Sequence, residues 1–281
     1  MKNVGKYMLH AAAIFWAFTQ IYPIFFLFMS SLKDNRSIIV NVFSPPGLLN
    51  IHPENYAIVW SGEYQRITVG RYLLNSAIVT SVSTVISVMI AMMAGYALAR
   101  YYKRFFSILS DVFLALIAIP VHAVVIPLFF IINNLGLLNT YPGLILPYVS
   151  LALPFSILIA KAFFRSFPKE VEEAARIDGA SEWSLLMRIV FPISRPLLAV
   201  LAIINFPFFW NELMFSIVAV TSNDMKTLPV GILAFRGRPE AEPRWDMMFA
   251  GMAISTIPLI IFYVLFQRQI IRGISVGAVK A

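Results

Sequence analysis

The sequence predicts an all-α membrane protein that crosses the bilayer six times and carries a charged two-helix loop on its cytoplasmic side. Three observations predict it. Of the 281 residues, 59% are hydrophobic and only 13% are charged, whereas a soluble domain carries about 25% charged residues; the surplus apolar surface has to face lipid. Six apolar stretches are each long enough to cross a bilayer core, which takes ~20 residues of helix. Positive charge gathers in alternate short connections, the pattern that sets topology in a membrane.

The first apolar stretch covers residues 8–31, behind Lys2 and Lys6. It exceeds the roughly 7–15-residue core of a signal peptide, and no cleavage site ends it, so it reads as a retained first span. Residues 33–71 form an outer segment with Ser44-Pro45-Pro46-Gly47 and His52-Pro53-Glu54-Asn55-Tyr56, an irregular loop with short amphipathic pieces. The second span is 72–99, where Ala91, Gly95 and Ala99 form a small-residue row suited to close helix packing. Arg100, Lys103 and Arg104 then mark a cytoplasmic link.

The third span is 105–132, and the link from Asn133 to Tyr141 has no charge, placing it outside. The fourth is 142–164. It leads into the segment with Lys161, Arg165, Lys169, Arg176, Arg188 and Arg195, which the positive-inside rule puts in the cytoplasm. The fifth span is 196–220, an outer segment runs over 221–246, and the sixth span is 247–271 with a basic tail. Both termini fall inside. No internal repeat stands out, and residues 1–281 read as a single membrane domain.

Composition also excludes chemistry. There are no cysteines, so disulfides, thiolate nucleophiles, iron–sulfur clusters and cysteine zinc sites are ruled out. His10, His52 and His122 have no ligand spacing, and no metal site or convergent catalytic set is visible. The net charge of +8 reads as loop topology, with no nucleic-acid partner. No G-x-x-x-x-G-K-[ST] phosphate cradle is present; the chain is expected not to be an enzyme and to hold no cofactor.

The loop at 168–192 has its own logic. Pro168 suits a helix start. Glu170, Glu172 and Glu173 put negative charge near the positive end of the helix dipole, and Ala174 and Ala175 favour helix while adding little bulk. Asp178-Gly179 supplies a stop. Ser181 suits the N-cap of a second helix through Trp183, Leu185, Leu186 and Ile189, which Pro192 is expected to break. Two readings stand at this point: a protruding helix–turn–helix with a small-residue surface for a partner's groove, or an amphipathic loop lying on the headgroups.

Glu173-Ala174-Ala175, Gly179, and Ile189-Val190-Phe191-Pro192 together resemble the EAA motif of ABC importer permeases, E-A-A-x3-G-x9-I-x-L-P, with Phe191 in place of the usual leucine. The stretch from Asn133 to Pro147, Trp210-Asn211-Glu212, Thr227-Leu228-Pro229-Val230-Gly231 and the tail from Gly273 to Lys280 are similar to the maltose-type (MalG-like) carbohydrate permeases. The resemblance covers nearly the whole chain, least well in the first outer loop. It implies a MetI-like type I importer fold in a bacterial or archaeal cytoplasmic membrane. It further implies a second homologous permease subunit, a cytoplasmic ATPase dimer that holds the ATP and magnesium, and an extracellular or periplasmic solute-binding protein. It assigns ATPase coupling to Glu173, Ala174, Ala175, Arg176, Asp178 and Gly179, and a C-terminal ATPase contact to Gly277 and Lys280.

Polar groups inside spans are functional candidates. His122, Asn205, Asn211 and Glu212 are candidates for the solute pathway, with Trp210 beside them able to stack on a sugar ring; helix–helix hydrogen bonds and an aromatic belt are the competing readings. Other function classes are an ABC permease for a non-sugar solute such as polyamines, and a proton-coupled carrier, for which Glu212 is the only suitable carboxylate.

Overall fold

The computed structural model describes residues 2–47, 50–62, 68–101, 104–236 and 242–278, with side chains placed from residue 5 to residue 267. Among these residues the chain is helical, with no strand. The elements run α1 (Lys2–Ser30), α2 (Asn35–Val40), α3 (Glu54–Ser61), α4 (Val69–Arg100), α5 (Arg104–Ile117), α6 (Val121–Asn134), α7 (Tyr141–Arg165) and α8 (Lys169–Ile177). Then follow α9 (Glu182–Ser184), a π-helical turn (Leu185–Val190), α10 (Phe191–Ile193), α11 (Arg195–Trp210), α12 (Met214–Ala219), α13 (Leu228–Leu233) and α14 (Trp245–Ala278).

Among the described residues, four helices are long and apolar enough to cross a membrane: Gly5–Ser30, Val69–Arg100, Tyr141–Arg165 and Trp245–Gln267. Two further crossings are made only if bent pairs each count as one. The expected third span, 105–132, is bent: α5 and α6 meet at 106°. Each has 14 residues and so reaches only ~21 Å, short of a ~30 Å hydrocarbon core. Pro120 is the cause. It lacks an N–H and disfavours helix in the residue before it, and it sits at φ −59°, ψ 128° as the N-cap of α6.

The expected fifth span, 196–220, is also interrupted. α11 stops at Trp210, and the short α12 begins at Met214. The second loop helix does not break at Pro192. It widens into the π turn, where the Phe191 amide donates to the Leu186 carbonyl, and passes Pro192 within α10. The turn comes at Ser194 (φ −83°, ψ 19°), just before Arg195-Pro196, and the two arms meet at 74°.

The chain divides into two compact units, residues 1–73 with 228–258, and residues 74–227 with 259–281. In the first, α1 leaves Phe15, Trp16 and Phe18 exposed, as a lipid-facing helix does. The outer segment is held by polar pairs: Asn55 Nδ2 donates to the Ser31 and Lys33 carbonyls at 3.1 and 2.9 Å, and buried Lys33 donates to the Asn41 and Val42 carbonyls. Gly231 of the Leu228–Gly231 motif lies flush against the Tyr72 ring, so close that a Cβ there would overlap it.

In the second unit, Ala91 and Ala99 are buried, and α4 crosses α7 at Gly95 against Ala160 and Lys161. The stretch from Asn133 to Pro147 is a polar clasp. Asn139 takes the left-handed conformation (φ 57°), and its Oδ1 accepts from the Thr221 and Ser222 amides, both at 2.8 Å. Asn75 Nδ2 donates to the Asp224 and Lys226 carbonyls, and its Oδ1 accepts from Tyr141. Replacing Asn139 with alanine removes the side chain's hydrogen bonds to Thr221 and Ser222 and strains the backbone. It is expected to destabilise the protein by about 2 kcal/mol, read as a lower unfolding temperature in detergent, with Asn139→Gly recovering the backbone part only.

Candidate functional site: the 168–193 loop

Helix α8 starts behind Pro168, carries Glu170 and Glu172 in its first turn and has Arg176 in its last turn. The stop is an Asp178-Gly179 turn: Gly179 has φ +82°, its amide donates to the Arg176 carbonyl and that of Ala180 to Ala175. Ser181 caps the second helix by accepting from the Ser184 amide at 3.3 Å. The two helices are not a free surface loop. Ala175, Leu185, Leu186, Val190 and Phe191 are buried in one apolar core with Met92 and Ala99 of α4 and Ile157, Ala160 and Phe164 of α7.

The core places the two alanines on different faces. Ala175 is buried inside the chain, while Ala174 is exposed, so the small-residue surface is narrower than the sequence suggests. The outward face consists of Glu173, Ala174, Ile177, Asp178 and Gly179. Ile177 is 85% exposed and nearby Trp183 62%, an apolar tip bordered by carboxylates. Arg176 stands at its edge, its guanidinium donating to both carboxylate oxygens of Glu182 at 2.8 and 3.2 Å. That pairing holds the Glu182 carboxyl below the usual carboxylate range and raises the Arg176 guanidinium further above its ordinary value. The pair is therefore intact at neutral pH and is lost only as pH falls through the lowered Glu182 value.

Sequence reasoning missed the buried charged group in the loop. Glu172 is 2% exposed. Its carboxylate accepts from Arg100 Nε at 2.8 and 3.1 Å, from Arg100 Nη2 and from the Tyr96 hydroxyl at 3.1 Å. Arg100 Nη2 also donates to the Phe167 carbonyl at 3.0 Å, and Arg176 stands 3.9 Å from Glu172 on the open side. A forked guanidinium–carboxylate pair of this kind is among the strong hydrogen-bonded contacts. A cleft of about 240 Å³ opens beside it, lined by Tyr96, Arg100, Lys169, Glu173 and Arg176.

The pathway candidates scatter. Asn205 is buried between helices, accepting from Ser156 Oγ and donating to Ser87 Oγ at 3.1 and 3.2 Å. It also lies on the wall of a cavity of about 430 Å³ at the α5–α6 bend, with Ile117, Ser150, Phe155 and Phe208. Trp210 is buried and stacked on Phe206, so its ring has no face free for a solute here. Asn211 is exposed and donates to the Pro207 carbonyl. Glu212 caps α12, accepting from the Phe215 and Ser216 amides at 2.7 and 3.1 Å. His122 is exposed at the start of α6, beside cavity residues Val121 and Val124. In the tail, Lys280 and the surroundings of Gly277 lie outside the described residues.

A family model described as "Binding-protein-dependent transport system inner membrane component" matches residues 87–276, from the polar stretch of α4 through the loop and into α14. The chain belongs to this family. It is thus an ABC importer permease of the inner membrane, with the ATPase on a separate subunit. It is 35% identical over 271 residues to the diacetylchitobiose uptake system permease protein NgcG of Streptomyces coelicolor, covering 96% of this chain and 88% of that one. It is 34% identical over 275 residues to the trehalose/maltose transport system permease protein MalG of Thermococcus litoralis, covering 98% and 97%. A solved bacterial ABC transporter involved in import of the acidic polysaccharide alginate shares the fold, with a TM-score of 0.79 at 21% identity over 95% of this chain and 96% of that chain.

Proposed function

We propose that this permease moves sugars or oligosaccharides inward by alternating access, paired with a second homologous permease subunit and driven by an ATPase dimer that seats on its 168–193 loop. A solute-binding protein delivers the sugar at the outer face. Both termini and the loop lie in the cytoplasm. The observation that carries the reading is the exposed apolar tip of Ile177 and Trp183 on a two-helix loop whose other face is built into the core. Relatives named for diacetylchitobiose, trehalose/maltose and arabinooligosaccharides support the solute class, and the Asn205–Phe208 cavity offers a polar amide beside an aromatic ring to a passing sugar.

The transporter reconstituted in vesicles with its partners is expected to take up at least one of diacetylchitobiose, trehalose, maltose or an arabinooligosaccharide in an ATP-dependent way, and not putrescine. Uptake of putrescine alone would assign it to the non-sugar permeases.

Gly179 offers a sharper check of the loop. A Cβ there meets nothing of this chain within 4 Å, so strain comes only from the left-handed backbone, about 1–2 kcal/mol for an ordinary residue. Gly179→Asn, which tolerates that backbone, is expected to keep most ATP-driven uptake. Gly179→Leu, which adds bulk on the outward face, is expected to lose more than about thirtyfold, the most that the backbone strain alone would explain. Equal uptake by both variants would count against a partner on that face.

A further inference from the structure

The interior ion pair joins elements that lie far apart in sequence. Arg100 is the last residue of α4, and its guanidinium ties three places together: its own helix, the Phe167 carbonyl in the link from α7 to α8, and the Glu172 carboxylate on α8. The Arg100 and Glu172 side chains are 9% and 3% exposed. Apolar side chains slide past one another at small cost, whereas a desolvated forked ion pair does not stretch without losing its geometry. A displacement of α8 is therefore passed to the end of α4.

Helix α4 is fit to carry it. It runs for 32 residues without an internal proline. It has a pivot: at Gly95 it lies so close to α7 that a Cβ would overlap Ala160 and come within 2.8 Å of the Lys161 amide nitrogen. On one side of Gly95, Arg100 sits about 7 Å along the axis; on the other, Ser87 sits ~12 Å away, at 1.5 Å rise per residue. Ser87 accepts the hydrogen bond from Asn205, the amide on the cavity wall.

We infer that Arg100 and Glu172 are positioning residues that make α4 a lever pivoted at Gly95, so that a push on α8 moves Ser87 and Asn205 the opposite way and resets the cavity. This rests on the loop being the ATPase seat. A lever with its fulcrum between the two ends closes one side as it opens the other, which is the motion alternating access needs. Tyr96, whose hydroxyl meets Glu172 and whose ring packs edge-on against Phe164, steadies the joint.

The test uses the full transporter. The chain lacks cysteine, so Phe208→Cys supplies a single reporter thiol in it at the cavity wall, read on this chain alone with a water-soluble maleimide. With Arg100 and Glu172 intact, labelling is expected to differ between the nucleotide-free and ATP-bound, vanadate-trapped states. In Glu172→Gln and Arg100→Gln backgrounds, compared as assembled transporter that retains the ATPase, the nucleotide-dependent difference is expected to fall by about tenfold, as for residues inside a coupling network. The double exchange Arg100→Glu with Glu172→Arg is expected to restore it. Arg100→Lys keeps the charge but cannot fork, and it carries the test if the other variants fail to assemble, with a partial loss expected. A full nucleotide response in any assembled single variant overturns the lever, as does an assembled double exchange that fails to respond. An ATPase that does not bind the unaltered loop overturns instead the reading on which it rests.

Discussion

Glu172→Ala is expected to cost about 3–5 kcal/mol, the penalty for leaving a buried charge without its partner. Arg100 would face the apolar side of α8 with one carbonyl left as an acceptor, and Tyr96 would lose its hydrogen bond. The helix would detach from the core that holds Ala175 and Leu185. Amide hydrogen exchange over residues 169–178 should speed up sharply, and the loop should become sensitive to protease in detergent. Glu173→Ala, one residue along on the exposed face, should leave exchange unchanged. Equal protection in both variants would mean that the buried pair does not hold the loop.

Gly95→Leu is the second large effect. The space opposite is filled by the Ala160 side chain and by backbone at Ala160 and Lys161, and backbone does not move aside for a side chain. Overpacking costs about 1–3 kcal/mol where neighbours can adjust, and the upper end or beyond is expected here, as a fall in thermal stability and in the yield of assembled transporter. Gly95→Ala should show the same sign at smaller size. Met93→Leu, two positions away on a half-exposed face, should be neutral. A leucine tolerated at Gly95 would show that α4 and α7 are not in close contact there.

The fold was legible where one residue type decides one event. Long apolar runs marked α1, α4, α7 and α14; α4 and α7 begin and end close to the expected 72–99 and 142–164, while α1 starts at Lys2 and α14 runs on to Ala278, past the expected 8–31 and 247–271. Asp178-Gly179 and Ser181 predicted the end of one loop helix and the start of the next, and the structure places both there. The bend at Pro120 also had its signal, since a proline inside an apolar run breaks a helix unless neighbours restore the lost bond; reading 105–132 as continuous gave hydropathy too much weight. Asn211-Glu212 likewise announced the gap between α11 and α12.

The candidate site was legible only in part, for a physical reason. Periodicity says that Glu172 and Ala175 share a face, but not which face is inside. What decides it is Arg100, 72 positions away in sequence. From the sequence Arg100 reads as one more topological cation beside Lys103 and Arg104. Burial turns it into the partner that makes one of three glutamates structural and leaves Glu173 for the surface. Packing decides the surroundings of Trp210 in the same way: Phe206 stacks on it, and Phe262 stacks on Phe206 at 4.1 Å.

On this reading the outward face of the 168–193 loop receives an ATPase while its inner face drives the rest of the permease. The direct measurement is affinity purification of the tagged chain from membranes in mild detergent, comparing the unaltered protein with Ile177→Glu and with Arg100→Lys. A second permease and an ATPase are expected to accompany the unaltered chain and Arg100→Lys, and the ATPase is expected to be lost from Ile177→Glu. An ATPase retained equally by all three, or absent from the unaltered chain, would contradict it.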